Sequence, residues 1–309
     1  MTTDAATLPT AAAGPTLWGR MMKGQTGPVC VMLIGLFVLW YVGAVFMNMP
    51  GQIDRYARAK QDWTPLQLVE ATLAQDRPVL PAPHQVAQEM YKTIFATKIT
   101  SKRSLVYHTW VTLSSTLLGF GIGTLLGIVL AVGIVHVQTL EKSLMPWVIS
   151  SQTIPILAIA PMIIVVLGAI GLKGLIPKAM ISTYLCFFPV TIGMVKGLRS
   201  PDHIQLDLMR TYNASRWQTF VALRWPSAMP FLFASLKVAI AISLVGAIVG
   251  ELPTGAQSGL GARLLAGSYY GQTVQIWAAL LTAAFVAAMM VVIVGLMEKR
   301  VLERMGVRA

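Results

Sequence analysis

The sequence predicts an all-α, polytopic membrane protein with about six transmembrane helices, and three observations carry that prediction. Hydrophobic residues make up 55% of the 309 positions and charged residues only 12%, about half of the ~25% charge usual in globular chains. The charges fall in clusters that leave six stretches long enough for the ~20 mainly apolar residues a helix needs to cross a ~30 Å hydrocarbon core. Lys and Arg outnumber Asp and Glu by 24 to 12, and the excess lies in short segments flanking those stretches. This excludes a disordered chain and argues against a cytosolic enzyme. The net charge of +12 reads as membrane topology rather than as a nucleic-acid footprint.

The first span lies between Lys23 and Asp54, with its apolar centre from Val29 to Met47. Arg20 and Lys23 before it imitate a secretory signal. The apolar run of about 19 residues exceeds the ~7–15 of a signal core, and no clear A-x-A site follows, so an uncleaved anchor is predicted. Residues 1–27 are expected to be a cytoplasmic tail, Thr/Ala-rich up to Pro15 and without periodicity. Residues 48–107 are expected outside the membrane on the far side, where Pro65, Pro78, Pro81 and Pro83 break any long helix. Val86, Met90 and Ile94 recur every four residues there. They predict a short amphipathic helix that either lies on the outer surface or docks an external partner.

A core of five further spans is expected over residues 108–298. The second span lies between Arg103 and Glu141, and Gly119, Gly123 and Gly127 at four-residue spacing give it a bare face for close helix packing. The third runs from Ser143 to Leu172 and the fourth from about Leu175 to Val195. A loop over 201–226 follows, then a fifth span from Ser227 to Gly250. The sixth lies within Leu264 to Met297, its apolar part starting near Val274, and 299–309 form a second tail. Six spans place both ends on one side. With the N-terminus inside, the cytoplasmic flanks hold twelve Lys and Arg and the short outer loops only Lys173, Lys178 and Arg263, which predicts cytoplasmic termini.

Few residues suggest chemistry. No G-x-x-x-x-G-K-[ST] occurs, so no phosphate cradle of that type is present. His84, His108, His136 and His203 are scattered without metal-ligand spacing, and structural or surface roles are expected for them. Cys30 and Cys186 sit in apolar runs and read as inert thiols. No catalytic residue and no metal site is predicted. The Gly255 to Gly261 run follows a membrane helix rather than a strand and reads as a flexible outer turn. Lys237 is the one charge within a span, and such a charge is a functional hypothesis by default. It either faces a pathway and attracts an anion, or snorkels or bonds carbonyls at a helix interface. Glu251, at the outer end of the same span, suits an outer gate, a salt bridge to Arg263, or a helix cap.

The 201–226 loop is the most informative stretch. Asp207 to Gln218 suggest two short helices meeting at a corner: Asn213 tolerates the left-handed conformation that ends a helix, and Ser215 with Gln218 makes a capping box for the next. Leu208, Met209, Tyr212, Trp217, Phe220 and Leu223 would give this hook an apolar surface. Such a surface asks for a partner groove, or folds onto the membrane or its own helix ends.

Asp207 to Ser215, followed by Leu223-Arg224-Trp225-Pro226 and Pro230, resembles the EAA loop of permease subunits of binding-protein-dependent ABC importers, with most likeness to the branch for sulfonates, taurine, nitrate or thiamine precursors. Leu80-Pro81-Ala82-Pro83, His108-Thr109 through Gly119-Phe120 to Gly127, and Pro155-Ile156-Leu157-Ala158 to Pro161 resemble that branch in order. Phe188-Pro189, Gly197-Leu198-Arg199-Ser200, Glu251 and Gly259-Leu260-Gly261 continue the match. Asp207-Leu208-Met209 stands where the family has Glu-Ala-Ala, Asn213 where it has glycine, and residues 48–80 have no counterpart. The resemblance implies an ABC type I importer permease in a bacterial inner membrane. It implies a second permease copy, two cytosolic ATPase subunits carrying ATP and Mg, and a periplasmic or lipoprotein substrate-binding protein; no cofactor is expected in this chain, and no nucleic acid. In that setting the hook, with Asp207, Arg210, Tyr212, Asn213, Ala214, Ser215 and Trp217, would couple to the ATPase, and Lys237 and Glu251 would be pathway or substrate candidates. Readings from other classes are a stand-alone secondary transporter or channel and a membrane-embedded enzyme. The spans lack coupling-ion groups apart from Lys237, and no carboxylate pair or activated nucleophile appears.

Overall fold

The computed structural model describes residues 26–253 and 258–306; their regular secondary structure is all helix, with no strand among them. The expected tail over residues 1–25, the glycine-run residues Gly255 to Gln257 and the last three residues lie outside the described residues. The chain divides into two compact units between Gln85 and Val86.

In the first unit α1 (Thr26–Ala59) covers the predicted first span and continues past it, through Pro50, to Ala59. The sequence-based end at Met47 marks where the side chains turn polar, not where the helix stops. At 34 residues and 1.5 Å per residue, α1 is about 51 Å long, well beyond the ~30 Å hydrocarbon core. α2 (Pro65–Leu73) starts with Pro65 at its first position and a capping box between Thr64 and Gln67. Buried Asn48 closes the unit: its Nδ2 donates to the Leu80 carbonyl at 2.8 Å, and its Oδ1 accepts from Val79 N at 2.7 Å and Leu80 N at 3.2 Å. The Trp40 indole N–H donates to the Pro81 carbonyl at 2.9 Å. Residues 48–80, which lacked a counterpart in the resemblance, are thus an ordered clasp on α1.

α3 (Pro83–Tyr91) begins at the unit boundary and runs into a π turn at Lys92–Ala96. Val86 is buried and Met90 and Ile94 are half-buried, as their spacing predicts. The second unit continues with α4 (Leu105–His136), α5 (Gln138–Ser151), α6 (Ile156–Ala169), α7 (Leu175–Leu198), α8 (His203–Thr211), α9 (Arg216–Thr219), α10 (Trp225–Glu251), α11 (Leu260–Tyr269) and α12 (Thr273–Arg304). Among the described residues five helices are long and apolar enough to cross a membrane, α1, α4, α7, α9 with α10, and α12, or six if the bent pair α5 and α6 is one span. The predicted third span is not one helix: α5 and α6 meet at a bend of 101°. Pro155 accounts for the break, because it has no N–H and disfavours the helical conformation at Ile154. The sixth span is α12, whose start at Thr273 agrees with the apolar start expected near Val274, and α11 is a separate short helix before it.

α4, α7 and α10 form the centre of this unit. Added methyl groups at Gly119, Gly123 and Gly127 would lie 2.3 Å from Ser182 Cβ, 2.9 Å from Cys186 Cβ and 2.8 Å from Val190 Cβ. The predicted glycine face therefore packs on α7 over three successive turns. Gly193 and Gly197 of α7 meet Ser235 and Ala228 of α10 in the same way. In lipid, where burial of apolar surface gives helices little reason to associate, such backbone approach supplies the attraction. Ser182 Oγ donates to the Ser243 carbonyl at 2.8 Å and Ser243 Oγ to the Thr116 carbonyl at 3.1 Å, joining all three helices.

Candidate functional site

Two constructions stand at opposite ends of α10. At its start is the hook. Asp202 and Gln205 cap α8, whose C-terminus closes with Asn213 at φ +54°, in the left-handed region. Asn213 N donates to the Arg210 carbonyl at 2.8 Å and Ala214 N to the Met209 carbonyl at 3.0 Å, the paired bonds of a Schellman ending. Ser215 Oγ then accepts from Gln218 N at 3.2 Å while Ser215 N donates to Gln218 Oε1 at 2.8 Å. The corner expected at Asn213 and the capping box expected at Ser215 are both present.

Leu208, Tyr212 and Trp217 are exposed on the hook, at 55%, 76% and 71%. Ile204, at 83% exposed, extends the stripe, and sequence reading missed it although 204, 208 and 212 share one helical face at four-residue spacing. Met209, Phe220 and Leu223 are half-buried instead. Phe220 turns inward, where its ring stacks on Trp217 at 5.6 Å and meets His136 edge-on at 5.3 Å. Asp207 and Arg210 pair with each other at 2.9 Å on the exposed surface, worth at most ~1 kcal/mol. A π turn at Phe220–Arg224 carries α9 into α10, with Trp225 N donating to the Phe220 carbonyl. Arg224 Nη1 donates to the Leu198 carbonyl at 3.2 Å, so the hook's exit is tied to the end of α7.

At the other end of α10, Glu251 is fully buried. Its carboxylate accepts from Thr112 Oγ1 at 3.0 Å, Gly261 N at 2.8 Å and Lys178 Nζ at 3.3 Å. Of the roles expected for Glu251 a salt bridge is made, but to Lys178 rather than Arg263: Lys178, counted with the outer loop in the sequence, lies in the first turn of α7 inside the bundle. Lys178 Nζ also donates to the Ser258 carbonyl at 3.1 Å. Gly259 N donates to His108 Nδ1 at 2.9 Å, and His108 Nε2 lies 2.9 Å from the Lys102 carbonyl, which assigns the ring proton to Nε2. Gly259 sits at φ +121°, and a methyl group there would lie 2.1 Å from the Glu251 carboxylate. Residues 258–261 are therefore pinned, not the flexible turn expected. Arg263, in α11, instead donates to the Arg103 carbonyl at 3.4 Å. Burial lowers its guanidinium below the ordinary value, with Glu89 opposing and Arg103 adding to the fall.

Lys237 does not stand free in the bundle. It is ion-paired with Glu298 of α12, so it reaches along the helix toward the charged end of that span. The count of one charge within the spans is corrected to include Lys178, Glu251 and Glu298.

A family model described as the inner membrane component of binding-protein-dependent transport systems matches residues 123–307. The chain belongs to this family. The permease is 32% identical over 221 residues to the riboflavin transport system permease protein RibX of Chloroflexus aurantiacus, covering 72% of this chain and 78% of that one. It is 30% identical over 183 residues to the formylaminopyrimidine transport permease protein ThiX of Halalkalibacterium halodurans, covering 59% and 68%. To the nitrate import permease protein NrtB of Synechocystis it is 24% identical over 180 residues, covering 57% and 64%. These are transport proteins rather than enzymes, and this permease is a multi-pass membrane protein of the same importer branch.

Proposed function

We propose that the permease forms the pathway of an ATP-driven importer for a small solute, an anion such as a sulfonate, taurine or nitrate, or a thiamine precursor, and takes its power from ATPase subunits on separate chains. In this reading two copies line the pathway in a bacterial inner membrane, both termini are cytoplasmic, and a soluble binding protein delivers solute from outside. The hook is the handle for the ATPase. Its exposed stripe of Ile204, Leu208 and Tyr212, with Trp217 beyond the corner, is the observation that carries the proposal. Capped at both turns, the stripe keeps its shape without a partner, and large apolar side chains on a rigid helical hook fit a groove on another protein. Leu208, Tyr212 and Trp217 act as anchors; Asp207 and Arg210 supply a polar rim; Asn213, Ala214 and Ser215 hold the angle between the two helices.

With Lys178 moved from the outer loops into the bundle, the twelve flanking Lys and Arg on the hook's side still outnumber Lys173 and Arg263 on the other, which supports an inward-facing hook. ATP-driven closure of the ATPase pair would draw two hooks together and rock the bundles between inward-open and outward-open states. The deciding experiment is purification of the tagged chain with its neighbouring ATPase, then reconstitution with ATP. The expected result is co-purification that Tyr212→Ala with Trp217→Ala abolishes, and solute uptake that needs ATP. Uptake by the chain alone without nucleotide would overturn the proposal in favour of a stand-alone transporter.

A further inference from the structure

Beside the Glu251 end of α10, a cavity of about 480 Å³ opens between α6, the Leu172–Gly174 turn and the start of α7. One wall is apolar, with Ile164, Val165 and Leu172; the other carries Lys173 and Lys178, and no carboxylate lines it among the described residues. Lys178 is already matched by Glu251 and the Ser258 carbonyl. Lys173 is different: it is exposed, and no described carboxylate forms a salt bridge with it. One residue later Gly174, at φ +76°, precedes α7 without a side-chain cap, so the first-turn N–H groups and the positive end of the helix dipole add to the Lys173 charge. The cavity's volume lies within the ~300–1,000 Å³ range of pockets for organic ligands, and a compact inorganic anion would leave most of the apolar wall uncovered.

We propose that this cavity is a solute subsite for an organic anion, with the apolar body against Ile164, Val165 and Leu172 and the anionic group at Lys173. The assignment rests on the reading of the chain as a solute pathway and narrows its cargo class. Matched charge at Lys178 makes that residue a wall of the subsite, held in place by Glu251, while Lys173 recognises the ligand.

The test uses the full chain in nanodiscs with Cys30→Ser and Cys186→Ala, and Val165→Cys as reporter. Thiol modification by an anionic and a cationic methanethiosulfonate is timed, each rate normalised to a free thiol. The anionic reagent is expected to react ~10-fold faster, and Lys173→Gln to remove the preference. Millimolar benzenesulfonate should slow the reaction, nitrate and benzyl alcohol should not, and Met162→Cys, on the same helix outside the cavity, should be unprotected by all three. Absence of protection by benzenesulfonate overturns the subsite. Equal protection by nitrate overturns the organic body, and equal protection by benzyl alcohol overturns the anionic group. Because labelling needs no ATPase, loss of ATPase co-purification would sink the importer reading while leaving the cavity result interpretable.

Discussion

Glu251 shows what a single buried charge does in this bundle. Its carboxylate is satisfied by a hydroxyl, a backbone N–H and an ammonium, and each of those donors belongs to a different segment of the second unit. Glu251→Ala leaves the buried Lys178 charge without a counter-ion, held only by the Ser258 carbonyl, and the Gly261 N–H without its acceptor; loss of one partner of a buried ion pair costs about 3–5 kcal/mol. We therefore expect a clear drop in the thermal midpoint of the detergent-solubilised protein. Glu251→Leu combined with Lys178→Met removes both charges and should recover more than half of that loss, since apolar replacement of a whole buried pair is often neutral. A double variant no more stable than Glu251→Ala would mean that the Gly261 and Thr112 bonds carry the energy. Sequence reading found Glu251 as the acid at the end of a span and offered an outer gate, a salt bridge to Arg263 or a helix cap, but not Lys178 as its partner. The fourth span was expected from about Leu175, where α7 does begin; Lys178 was counted with the outer loop because a charge in the first turn of a span reads as belonging to its flank.

At the scale of elements, the hook was legible because its signals are local. A left-handed Asn213 and a Ser215 box are decided by residues three or four apart, and both are as expected. Gly119, Gly123 and Gly127 were equally readable as a packing face, while the partner row Ser182, Cys186 and Val190 was not, since nothing local names it. The bend between α5 and α6 was missed because the span was bounded by charges, and the polar residues Ser150, Ser151, Gln152 and Thr153 ahead of Pro155 carry none. Asn213 gives the element-scale prediction. Asn213→Gly suits φ +54° and should leave the stability of the protein and its ATPase binding within experimental error. Asn213→Val places a β-branched residue in the left-handed region, at a cost of roughly 1–2 kcal/mol. It should weaken ATPase co-purification while the bundle keeps its helix content by circular dichroism. If Asn213→Val binds as well as the native chain, the corner angle is not what the ATPase reads.

For the whole molecule the question is how movement at the hook reaches the far end of the bundle. α9, the π turn and α10 are one continuous path of 36 residues from Arg216 to Glu251. At 1.5 Å per residue that path is about 54 Å, longer than the hydrocarbon core. It ends in the Glu251 knot, which ties α10 to α4 and α7, so a torque on the hook is delivered to all three helices at once. The π turn at Phe220–Arg224 sets the phase between handle and rod, because its Trp225-to-Phe220 bond spans one residue more than an α turn. Inserting one alanine between Thr219 and Phe220, ahead of the π turn, leaves Phe220 and α10 in place and should rotate the hook by about 100° about the axis of the path. Packing around α4, α7 and Glu251 is untouched by that change, so the thermal midpoint should move by only a few degrees. ATP-dependent uptake by the reconstituted complex should be lost, because the apolar stripe would face away from the ATPase groove. Uptake at the native rate after the insertion would show that the hook adapts its phase freely, and that force does not pass through a rigid rod.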